Sequence, residues 1–101
     1  MLVHIVCWKY KRETDASTRT SHIDGLRELP PLIDCISTFE VGSDILHLDR
    51  SFDIGLVATF AGRDELDRYT HHPEHQRIAA LGKQIAESVV SVDFETRETR
   101  I

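Results

Sequence analysis

Two spacings of apolar residues alternate along the chain. Residues 2–11, LVHIVCWKYK, are rich in β-branched and aromatic residues and predict a strand. Alternation places His4, Val6, Trp8 and Tyr10 on one of its faces and Val3, Ile5 and Cys7 on the other. Both sets are largely apolar, so the sheet is expected to be covered on both sides. Thr14 and Asp15 then offer N-cap side chains, and Ile23, Leu26 and Leu29 recur at helical spacing. Pro30 and Pro31 are expected to stop that helix. Residues 33–42 predict a second strand, with Cys35, Phe39 and Val41 on one face and Gly42 at its end. After a loop, FDIGLVATF (52–60) predicts a third, with Ile54, Leu56, Ala58 and Phe60 in register and Val57 opposite.

Gly62 and Asp64 open a helical segment in which Leu66 and Tyr69 lie three apart. Pro73 interrupts it, and an Ile78, Leu81, Ile85 stripe marks the helix that follows. Proline suits the first position of a helix, which makes His72 the expected N-cap and puts His75 in the first turn. SVVSVDFE (88–95) predicts the last strand. The order β-α-β-β-α-β describes one ferredoxin-like α+β domain over residues 1–101, with 96–101 as a polar tail. Both helices then pack on one face of a four-stranded antiparallel sheet and leave the other face bare. The simplest cover is the same face of a second copy, a two-fold homodimer.

Composition narrows the field of partners. Of the 101 residues, 41% are hydrophobic and 29% charged, the balance of an ordinary globular domain. The net charge of −5 and the lack of a dense basic patch argue against nucleic acid. No apolar run approaches the roughly 20 residues that span a bilayer, and the N-terminus lacks the charge order of a signal peptide. Cys7 and Cys35 form no zinc-type or CxxC spacing, so reduced thiols in a cytoplasmic protein are expected. No phosphate loop, dinucleotide fingerprint or GxSxG occurs, and no cofactor is expected.

The chemistry concentrates in YTHHPEHQRI, residues 69–78, which sets Tyr69 beside His71, His72 and His75. Histidine titrates near neutrality, and the positive end of a helix favours its neutral form. A neutral imidazole beside a tyrosine permits acid–base work on an enolisable carbonyl. A pocket between sheet and helices would draw its walls from Val6, Trp8, Ile54 and Leu56, with His72 at its rim and His4 at the polar end of the first strand. The competing reading is structural: His72 caps the helix and His75 closes the turn against Tyr69. A metal site is less well supported, since Pro73 separates His71 from His75 and no HExxH or remote ligand is apparent. His22 and His47 are expected at the surface.

Five segments together resemble the stress-responsive α/β-barrel (Dabb) family: HIVCWKYK, FEVG, SFDIGLVATF, LDRYTHHPEH and VVSVDFE. The resemblance runs over roughly residues 3 to 95 in order, and Y-x-x-H-P-x-H with VDFE downstream is its most specific part. It implies a ferredoxin-like subunit that dimerises through its sheets into a barrel. Members include stress-induced plant proteins without a settled reaction and a plant polyketide cyclase. In that cyclase the tyrosine and second histidine of the motif act on the substrate, positions matched here by Tyr69 and His75. A pocket histidine on its first strand is matched by His4. Its further pocket histidine, on the third strand, falls on Ile54, so its substrate is not implied for this chain.

Overall fold

The structure is a computed structural model that describes residues 1–97. Its elements run β1 (Leu2–Tyr10), α1 (Ala16–Arg27), α2 (Leu29–Leu32), β2 (Thr38–Ser43), β3 (Ile54–Phe60), α3 (Arg63–His71), α4 (Pro73–Ile85) and β4 (Ala86–Glu95). The strands form one antiparallel sheet in the order β2-β3-β1-β4, which is the ferredoxin-like arrangement of the α+β class.

Side chains satisfy free amides at the start of α1 and of α4. Asp15 caps α1, its carboxylate accepting from the Thr18 amide at 2.8 Å. One expectation fails here. Pro30 and Pro31 do not stop helical structure; they sit in the first turn of the short α2, where a missing N–H costs nothing. That turn buries Leu29 and brings in Ile33, and the second strand therefore starts at Thr38 rather than at residue 33. The last strand begins two residues earlier than its valine run suggests, at Ala86. Of the expected polar tail, the Thr96 amide donates to the Met1 carbonyl at 2.9 Å, and residues 98–101 lie outside the described residues.

The core fills the space between sheet and helices. Leu2, Val6, Trp8 and Tyr10 of β1 and Ile54, Leu56, Ala58 and Phe60 of β3 meet Leu26, Leu29, Leu66, Tyr69, Ile78 and Ile85 from the helices. Alternation on β3 is complete on this side, as its sequence predicts. Two glycines let α4 come close. A Cβ on Gly25 would lie 2.2 Å from Ile78 Cδ1, and one on Gly82 would lie 2.7 Å from His22 Nε2 and 2.9 Å from Trp8 Nε1.

His22 is the clearest departure from the sequence reading. Instead of reaching solvent it is fully buried, with Nδ1 2.6 Å from the Tyr10 hydroxyl and its ring edge-on to Trp8 at 5.1 Å. Its Nε2 has no hydrogen-bond partner among the described residues. Burial pushes its pKa down to about 4, so it is neutral in the folded protein at physiological pH. His47 does lie at the surface, in a tight turn where its amide donates to the Asp44 carboxylate.

The two sheet faces differ. The helices pack on the face where Leu2, Val6, Trp8 and Tyr10 of β1 and the alternate residues of β3 are buried, and β4 meets the helical layer through α4. On the opposite face Val3, Ile5 and Cys7 of β1 stand directly across from Phe94, Val92 and Val90 of β4, with Val57 across from Ile5 on β3. Val57, Val90, Val92 and Phe94 are 40–52% exposed in the single chain. An apolar patch of this kind marks a surface built to be covered.

Candidate functional site

The joint between α3 and α4 brings the motif residues to the end of β1. His72 ends α3 and caps α4, its Nδ1 accepting from the Glu74 amide at 3.1 Å, and Pro73 occupies the first position of α4. The joint turns Tyr69, the last inward residue of α3, onto the core, where it is 1% exposed. Its ring lies 5.1 Å from Phe60, 6.0 Å from His4 and 4.3 Å from His75, so two imidazoles flank one phenol.

Each imidazole is oriented through Nδ1. The Nδ1–H of His75 donates to the Thr70 carbonyl at 3.0 Å, which leaves Nε2 as the acceptor of the ring. Nδ1 of His4 bonds the Asp93 carboxylate, the residue directly opposite it on β4. Burial lowers the pKa of His75, with the neighbouring His4 and His72 acting the same way against the Thr70 bond, so the ring is a neutral base at neutral pH. Burial raises the pKa of Tyr69 well above the ordinary phenol value, and its hydroxyl stays protonated. That hydroxyl takes no hydrogen-bond partner among the described residues, leaving it free to donate to a ligand.

Beside the trio lies a cavity of ≈ 340 Å³, within the size range of small-molecule sites. Its walls are His4, Val6 and Trp8 of β1, His75, Ala79 and Lys83 of α4, and Val89 and Ser91 of β4. It exists because the helical layer stops short of the β4 edge. Among the residues expected at the site, His4, Val6, Trp8 and His75 line this cavity, and Tyr69 stands behind the two histidines. The others sit elsewhere. Ile54 and Leu56 are packed in the core on β3, and His72 faces a separate groove with Pro31, Ile33 and Arg68. His71 bonds the Asp67 carbonyl, and among the described residues no three His, Cys, Asp or Glu side chains gather as a metal site.

Five contributors escape a reading of the motif alone: Ala79, Lys83, Val89 and Ser91 in the lining, and Asp93 behind His4. Ala79 and Lys83 follow His75 at four-residue intervals on one side of α4, and Val89, Ser91 and Asp93 alternate along β4. Those spacings are visible in the sequence. What the sequence lacks is the pairing register that sets Trp8 against Val89 and His4 against Asp93.

The Dabb family, the stress responsive A/B barrel domain, matches residues 2–96. The chain belongs to the Dabb family. No curated protein is significantly similar to it in sequence. Solved structures share its fold closely. A dimeric ferredoxin-like protein of unknown function from Thermobifida fusca superposes with a TM-score of 0.86 at 23% identity, covering 94% of this chain and 90% of that one. A second, from Bacteroides fragilis, has 26% identity and a TM-score of 0.81 over 94% and 95% of the two chains. The hydroxynitrile lyase of Passiflora edulis reaches a TM-score of 0.86 at 19% identity over 99% and 96%. At these identities the shared property is the fold. No helix of the described Dabb chain is long and apolar enough to cross a membrane.

Proposed function

We propose that this Dabb chain is a homodimeric enzyme whose cavity takes a small apolar or aromatic carbonyl compound and performs acid–base chemistry of the lyase or cyclase kind. The observation that carries the reading is the trio His4, Tyr69 and His75 set against an apolar cavity. His75 Nε2 removes a proton from the substrate, and the Tyr69 hydroxyl donates a hydrogen bond to the oxygen that gains negative charge. His4, backed by Asp93, serves as the second proton-transfer group. A hydroxynitrile lyase on the same fold supports lyase chemistry as one such use of this scaffold. The dimer is supported by the apolar sheet face and by neighbours described as dimeric. The free thiols Cys7 and Cys35 fit a reducing, cytoplasmic setting.

The test is a titration of the histidine ring signals by NMR against small aromatic ketones and β-keto acids. Shifts of His75 and Tyr69 on one compound class, followed by turnover that Tyr69→Phe abolishes, are the expected result. Full turnover in both Tyr69→Phe and His75→Ala would sink the reading.

A second reading has its own observation. His71, His72 and His75 each bond a backbone group within the α3–α4 joint, as residues that simply close a kinked helix entry would. On that reading the chain is a non-enzymatic stress or binding protein. His75→Ala then lowers the melting temperature sharply, and no compound moves the Tyr69 signals.

A further inference from the structure

The cavity carries a charge that the acid–base trio does not use. His75, Ala79 and Lys83 follow one another at four-residue intervals on α4 and together form its helical wall. Lys83 is the only lysine or arginine among the lining residues. It makes no ion pair or side-chain hydrogen bond with a described residue, whereas Arg63, Arg68 and Arg77 are each tied to a carboxylate. Val6, Trp8, Ala79 and Val89 make the wall between the trio and the ammonium apolar. His4, which also lines the cavity, is bonded to the Asp93 carboxylate, which lies outside the lining. Lys83 is therefore the one full cationic side chain among the lining residues, exposed at the cavity mouth and beside apolar walls.

We infer that the ligand of this cavity is a carboxylic acid, its carboxylate on Lys83 and its reactive carbonyl between Tyr69 and His75. The inference rests on the site being a carbonyl pocket, and it adds the substrate class. Eight residues of helix separate His75 from Lys83, about 12 Å at 1.5 Å per residue, so the two groups of the ligand are set well apart. A lysine in the last turn of a helix also complements the helix dipole. That role is indifferent to what fills the cavity, and the two roles separate by ligand selectivity.

The experiment compares 10-oxoundecanoic acid, its methyl ester and undecan-2-one as ligands of the full chain, read by the His75 ring signals. The acid is expected to bind about five-fold or more tighter than the ester, as a charge-assisted bond at a partly exposed site allows. Lys83→Gln should remove that preference, and Lys83→Arg should keep it. Equal binding of acid and ester, or an acid preference that survives in Lys83→Gln, overturns the inference while leaving the carbonyl pocket intact. If none of the three compounds moves His75, both the inference and the proposed activity fall.

Discussion

Two histidine–tyrosine pairs, His22 with Tyr10 and His75 with Tyr69, are built to opposite ends. His22 and Tyr10 are locked together by a 2.6 Å hydrogen bond beneath α1 and α4, with no route to a ligand. His75 and Tyr69 meet at 4.3 Å with tilted rings and no bond between them, His75 on the wall of a cavity and Tyr69 behind it. Burial drives both imidazoles toward the neutral form and both phenols toward the protonated one. A shifted pKa thus fails to tell them apart. What separates them is where the free polar atoms lie: the first pair bond each other and leave only His22 Nε2 unpartnered, sealed in the core, whereas in the second His75 Nδ1 alone is consumed by the fold.

The comparison breaks most visibly at His22. His22→Ala leaves a buried hole and an unpaired Tyr10 hydroxyl, and should cost about 3 kcal/mol in urea unfolding. His75→Ala, at the half-open site, should cost about 1 kcal/mol, from the lost Thr70 bond, while removing activity. Wild-type and His22→Ala stabilities that agree would show the buried pair to be ornamental.

Acid reads the same contrast without mutation. An ordinary histidine takes its proton near pH 6.5 and His22 only near about 4. Between those values the unfolded chain holds more protons than the folded one, so stability is full above about 6.5 and falls as the pH drops toward 4. The total for His22 is about 3 kcal/mol, and His75 contributes in the same direction. Unfolding curves recorded across that window should lose most of their slope in His22→Gln.

Legibility from sequence follows the same division. The β3 strand could be read because Ile54, Leu56, Ala58 and Phe60 keep a strict period of two and all four are buried. His22 could not be read as core because histidine is a frequent surface residue, although 22, 26 and 29 share one helical side with Leu26 and Leu29. Pro30 and Pro31 were legible as punctuation but ambiguous between an end and a start. For the site, the Y-x-x-H-P-x-H spacing pointed to Tyr69 and His75. The cavity itself depends on where the helical layer stops short of β4, a tertiary fact with no local signature.

Removal of single hydroxyls sharpens the comparison further. Tyr10→Phe strips His22 Nδ1 of its partner and should cost about 1–2 kcal/mol with no effect on ligand binding. Tyr69→Phe removes a hydroxyl that bonds nothing in the described protein, so stability should change by no more than about 0.5 kcal/mol while turnover is lost. Paired melts and activity assays on the two variants check this. Equal thermal losses would contradict the division of labour between the pairs.

The bare face of the sheet has a consequence for the life of the newly made chain. β4 lies at the sheet edge and carries Val90, Val92 and Phe94 half uncovered on that face in one short stretch. Such a strand offers unpaired backbone groups and sticky side chains to any other extended segment. An uncovered subunit is therefore a seed for precipitation, and dilution below the point where its face is occupied would favour clumping and proteolysis over a quiet monomer.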